Sequence, residues 1–174
     1  AGRWISANLA SAAACPACDS SLSEFRTKYG ILAADEGQNI GLVDVHAVSR
    51  GLVNKAGSVP GRKITLSAPA GSVGIKANRE TVESFLGYMV SDTALSSGGA
   101  VHIDIRQADG FVKINIGSFR EGMKKAAIPS SPDLREGEKN ALYLLMKLYL
   151  ESLGGDMELY EDAAGRFIRI RIKP

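Results

Sequence analysis

The sequence predicts an α+β protein, a two-layer sandwich of sheet and helices preceded by short N-terminal helices. Three observations carry this. Two pairs of alternating segments, AVHIDIRQ with FVKINIG and DMELYED with FIRIRIKP, are each joined by a glycine-containing turn and read as antiparallel hairpins. Two longer stretches repeat apolar residues at three and four, as amphipathic helices do. The order of these patterns gathers the helices on one face of a sheet.

Arg3 to Ala14 and Ser20 to about Lys28 are Ala/Leu/Ser-rich with helical spacing, broken at Pro16. Residues 1–38 are therefore expected to form a separate helical segment, and 39–174 the sandwich. Val45, Val48 and Leu52 then recur at helical spacing, while RKITLSAP alternates Ile64 and Leu66 against Lys63 and Thr65 as a half-buried strand. The strongest helix lies in GIKANRETVESFLGYMVSDTALSS. Asn78 is placed to cap it, Glu80 sits in its first turn, and Val82, Phe85, Leu86, Met89 and Val90 share one face. Asp109-Gly110 marks the tight turn of the first hairpin. A loop containing two prolines leads to EKNALYLLMKLYLESLGG, whose Leu142, Leu145, Met146, Tyr149 and Leu150 face a core and whose Gly154-Gly155 ends the helix.

The 174 residues suffice for one domain with a core and an appendage. Basic residues number 21 against 19 acidic, giving a net charge of +2, so there is no electrostatic case for nucleic acid or an anionic membrane as main partner. No apolar run approaches the roughly 20 residues that span a bilayer, and the expected location is the cytoplasm. The basic stripe Arg169, Arg171 and Lys173 reads as a solvated face, with anion binding as the alternative.

Cys15 and Cys18 form one CxxC, compatible with a redox dithiol, half of a zinc site or two small structural residues; the flanks favour the last. His102 falls on the polar face of its strand. His46 has no acidic neighbour directly after it, which leaves it a weak phosphoacceptor candidate.

From about Leu42 to Pro174 the chain resembles the ATP-binding domain of the sensor histidine kinases, whose fold is shared with gyrase and Hsp90-type ATPases. ANRETVESFLGYMVSDTALSSGGAVHIDI resembles the helix of the family's Asn box and the following strand. GFVKINIGSFREGM resembles its first glycine box, and LYLLMKLYLESLGGDMELYEDAAGRFIRIRIKP its last helix and closing hairpin.

The resemblance implies a nucleotide site whose motifs are degraded here. The family's first glycine box reads Asp-x-Gly-x-Gly, with the Asp accepting from the adenine amino group. Ser118 stands in the Asp position, Arg120 in that of the first Gly, and Gly122 is retained. Gly87 and Ser91 match the two Asn positions, the second of which holds Mg²⁺ in the family; Asp92 beside it is rotated about 100° from that face. The second glycine box is matched by EKNAL, with Glu138 and Asn140 where glycines would cradle phosphates. Lys124, Lys125 and Arg135 are the cations of the shortened lid loop.

The expectation is a signalling module without ATP binding and with no cofactor, leaning away from an enzyme. It would act as an adaptor, pseudokinase or phosphotransfer-related domain toward a response regulator or a kinase. The alternative is a divergent, active histidine kinase or ATPase fragment binding ATP with Mg²⁺. In the family's manner, the N-terminal helices would pair with a second copy, with Trp4, Leu9 and Leu22 near the contact.

Overall fold

The computed structural model describes residues 40–56, 61, 63–128 and 138–174, excepting the side chains of 138–142 and 145. The N-terminal segment, Cys15 and Cys18, the proposed dimer contacts and Arg135 lie outside these residues, as do the side chains of Glu138, Asn140, Leu142 and Leu145.

Among the described residues, eight strands and three helices follow in order: β1 (Ile40–Asp44), α1 (Val45–Ala56), β2 (Lys63–Ser67), β3 (Gly74–Asn78), α2 (Arg79–Ser96), β4 (Ala100–Ala108), β5 (Phe111–Ile116), β6 (Lys124–Lys125), α3 (Glu138–Ser152), β7 (Asp156–Asp162) and β8 (Gly165–Ile172). Six strands make one sheet in the order β2-β4-β5-β8-β7-β6, and β1 pairs with β3 separately. All pairings are antiparallel except β2 with β4. Both hairpins stand where the sequence places them. Asp109 and Gly110 take φ of 56° and 74° at the first turn, the doubly positive pair that matches the twist of a two-residue hairpin.

Alternation decides which face is covered. Val101, Ile103, Ile105, Val112, Ile114, Ile116, Ile168, Ile170 and Ile172 are buried against the helices, with Phe85, Met89 and Met146 opposite them. Tyr149 is half-buried rather than a full core member, its ring edge-on to Phe85 with centroids 5.1 Å apart. Asp104 shares the polar alternation of His102 on β4 but does not face solvent as His102 does. It is buried because Arg106 and Asn115 both donate to its carboxylate, the ion pair at 2.8 Å and the amide at 3.2 Å.

Helix ends follow local chemistry. The Asn78 side chain accepts from Thr81 N–H at 3.0 Å, and its own N–H donates to the Tyr149 hydroxyl at 3.3 Å, so the α2 cap is also tied to α3. Asn78→Ala is expected to lower stability by about 1 kcal/mol, read as a shifted urea midpoint with unchanged slope. Asp44 caps α1, its carboxylate accepting from the N–H groups of His46, Ala47 and Val73. Burial works against that charge, but the three backbone donors hold the carboxyl below its usual range. The end of α3 is closed by Gly155 N–H to Leu150 C=O at 2.9 Å, with Gly154 at φ 71°.

Candidate functional site

The glycine-bearing turn leaves the sheet at the end of β5. Gly117 has φ 96° and donates its N–H to His102 C=O at 2.8 Å. A Cβ there would stand 2.4 Å from Arg166 C=O and 3.1 Å from Thr93 Cγ2, so the turn is pressed against the start of β8 and the sheet side of α2. Only glycine fits.

Past Gly117 the turn folds over the β7–β8 hairpin. Ser118 is exposed. Phe119 lies edge-on to Tyr160 and Phe167, with ring centroids 5.5 and 5.3 Å away. Arg120 donates twice to Asp162, from Nε at 3.0 Å and Nη2 at 2.8 Å. That pair holds the Asp162 carboxyl below its ordinary range. The Arg120 N–H also points at the Met123 sulfur at 3.4 Å. Gly122 keeps φ 90° with open space where a Cβ would be.

The other matched positions lie on two helices. Gly87 packs against α1, its hypothetical Cβ 3.5 Å from Leu52 Cδ2, and Ser91 is half-buried one turn further along. Glu138 and Asn140 lie in the first turn of α3. The fold therefore arranges α2, the β5 turn and α3 around one region, but Gly87 faces α1.

The side chains that meet in that region are ones the sequence reading set aside or passed over. Asp92, on α2, is buried; its Oδ2 accepts from the Tyr143 hydroxyl of α3 at 2.6 Å and from Arg166 Nη1 of β8 at 2.5 Å. Arg166 Nε reaches Glu161 at 3.2 Å. Burial, and then the adjacent Asp92 carboxylate, push the Tyr143 hydroxyl well above the ordinary tyrosine range, so it stays a proton donor. Burial also opposes the Arg166 charge, but the Asp92 pair more than offsets it and keeps the guanidinium protonated. Thr93 is fully buried, and its hydroxyl has no hydrogen-bond partner among the described residues.

Two signals point to this cluster. Asp92 lies three and seven residues after Met89 and Phe85, on the buried stripe of α2. Arg166 shares the alternation of Ile168, Ile170 and Ile172, which turns it toward the helices rather than into the basic stripe.

The remaining candidates have ordinary partners. His46 is hydrogen-bonded through Nδ1 to Gly71 C=O at 3.1 Å, and His102 through Nδ1 to Thr65 at 2.9 Å. Lys125 pairs with Glu158, Arg169 with Glu158 and Arg171 with Asp156, so these cations are matched on the outer face. Among the described residues, no three His, Cys, Asp or Glu side chains come together as a metal site, and no helix is long and apolar enough to cross a membrane.

No protein-family model and no curated protein matches the chain. Solved structures do. The catalytic domain of histidine kinase ThkA superposes with a TM-score of 0.58 at 14% identity, covering 78% of this chain and 97% of that one. The ATP binding domain of PrrB from Mycobacterium tuberculosis gives 0.58 at 15% identity, with 78% and 98% covered. The Acinetobacter baumannii histidine kinase AdeS gives 0.57 at 17%, with 88% and 79% covered. By its architecture, then, this chain carries the fold of the histidine kinase catalytic and ATP-binding domains.

Proposed function

We propose that this chain is a signalling module that uses the histidine kinase-like fold as a scaffold for protein contacts and does not bind ATP. The observation that carries the reading is the β5 turn. At the position matched to the adenine-anchoring Asp there is an exposed hydroxyl, and at the position matched to the first glycine there is Arg120, held by two hydrogen bonds to Asp162. A serine hydroxyl is short and uncharged where the family uses a carboxylate, and an arginine stands where the nucleotide needs bare backbone.

The residues present do not suit ATP with Mg²⁺. Arg166 and Tyr143 meet on Asp92 between α2 and α3, and Gly87 is turned to α1. Glu138 begins the helix at which phosphates would arrive, and its charge would oppose them. No catalytic residue or cofactor is assigned on this reading. The activity consists of docking, to a response regulator or a kinase, as an adaptor, pseudokinase or phosphotransfer relative, in a homodimer joined through residues 1–38.

One feature favours the second reading, a divergent kinase or ATPase domain. Gly122 retains a positive φ and open surroundings, the condition for close approach of a ligand to backbone.

Calorimetric titration with ATP, with and without Mg²⁺, separates the two. The expected result is no detectable binding at millimolar nucleotide, less than about 4 kcal/mol. Ser118→Asp with Arg120→Gly is expected to leave that result unchanged, since α2 and α3 also depart from the family pattern. Micromolar binding by the unmodified protein would put the enzyme reading first.

A further inference from the structure

We propose that residues 31–36 of this chain fold back over the outer face of the β1–β3 ribbon, with Ile31 and Leu32 against Ile40 and Leu42 and the Asp35 and Glu36 carboxylates beside Lys76. This contact fastens the N-terminal segment to the sandwich, and it is independent of whether nucleotide binds.

β1 and β3 form a two-stranded ribbon outside the main sheet, and their register fixes its two faces. Val43, opposite Ile75, and Ala77 are buried, so that face lies on the core. Leu42 stands opposite Lys76 and Ile40 opposite Asn78, so these positions share the other face. There Ile40 is 57% exposed and Leu42 80%, and Lys76 is exposed beside them, while Asn78 is taken up by the α2 cap.

One exposed aliphatic side chain is ordinary. Here two stand side by side on one face of one strand, and β1 holds no charged residue before Asp44, whose carboxylate caps α1. Leu42 lies across Gly74: a Cβ on that glycine would be 2.8 Å from Leu42 Cδ1. The face is therefore an apolar step over bare backbone with an ammonium group at its side. Covering it removes two large aliphatic side chains from water.

Chain connectivity selects the occupant. Ile40 is the first described residue, and the stretch that leads into it reads GILAADEGQN: an aliphatic pair, an acidic pair, then a glycine three residues before Ile40. That order complements the face, which offers an aliphatic pair and a lysine that no acidic side chain among the described residues is seen to pair with. Gly37 suits a reversal of direction between the two. The four steps from Glu36 to Ile40 reach about 13 Å when extended, enough to return over the roughly 7 Å from Ile40 to Leu42. A tethered segment is held near the face at high effective concentration, whereas a second copy or a separate protein also loses translational and rotational freedom on binding.

Limited trypsin digestion of the full chain, followed by mass spectrometry, tests this, because Arg26 and Lys28 lie just before the contact. Leu42→Ser is expected to speed cleavage after Lys28 about tenfold and to leave cleavage after Arg106 and Lys113, within the sheet, unchanged. Lys76→Glu is expected to speed it about threefold, and to add nothing in an Asp35→Asn/Glu36→Gln background. If Leu42→Ser also speeds cleavage after Arg106 and Lys113, the sandwich itself has loosened, and the Lys76 comparison decides alone. Unchanged cleavage after Lys28 in Leu42→Ser overturns the proposal, as does an equal effect of Lys76→Glu in both backgrounds. Protection of Lys28 that falls on dilution of the unmodified protein also overturns it, since the face then belongs to a second copy.

Discussion

Asp92→Ala is expected to lower the unfolding free energy by about 3–5 kcal/mol, the range found when one partner is removed from a buried ion pair. Truncation removes the acceptor for two donors at once, leaving the Arg166 guanidinium mostly buried and short of its counter-charge and the Tyr143 hydroxyl without its 2.6 Å contact. Asp92→Asn is a useful companion. It keeps the shape and one acceptor oxygen for Tyr143 but loses the charge, so its effect should lie between that of the alanine variant and the unmodified protein. Urea unfolding followed by circular dichroism measures both. An alanine variant within about 1 kcal/mol of the parent would mean that the Glu161 pairing alone suffices for Arg166, and that the cluster is not what joins α2 to β8.

Gly117→Ala is the second large effect, expected at about 2–5 kcal/mol. A φ of 96° costs an L-residue about 1–2 kcal/mol. The added methyl then meets Arg166 C=O at 2.4 Å, and backbone cannot swing aside as a long side chain can, which adds about 1–3 kcal/mol of overpacking. Gly122→Ala in the same turn supplies the contrast, because its φ of 90° is equally unfavourable while nothing stands within 4 Å. Its loss should stay near the strain alone, about 1–2 kcal/mol. Thermal melts of the two variants side by side would show the difference; equal losses would mean that the close approach of turn and strand relaxes easily.

The main layers of this fold are written in period, and period survives in a single sequence. Val82, Phe85, Leu86, Met89 and Val90 announce the buried face of α2, and Ile168, Ile170 and Ile172 that of β8. The strands that escape such a reading are short or paired over distance. β1 finds its partner β3 more than thirty residues on, and GIKAN sits so close to a strong helix start that it reads as its approach. β6 has two residues, too few to show any alternation. The parallel pairing of β2 with β4 depends on the crossover through β3 and α2, which is a property of the tertiary path and not of either segment.

The candidate site divides the same way. The departure of Ser118 and Arg120 from a glycine-box pattern is visible in the residues themselves. That Arg120 is taken by Asp162, or that Asp92 is met by Arg166, depends on which elements end up adjacent. A charged residue sharing the stripe of buried neighbours carries the hint, but its partner is 74 positions away in the chain.

The sheet also has two ends, and their composition bears on how copies of the chain can meet. At one end stands β6, no more than Lys124 and Lys125, both exposed. At the other, β2 shows Lys63, Thr65 and Ser67 to solvent along five residues. A strand from another molecule would find at β6 too few free backbone groups to form a ladder, and two ammonium groups beside them; at β2 it would meet a short polar margin. Edge-to-edge growth is thereby discouraged at both margins, so a pairing of two copies has to be built from other surfaces.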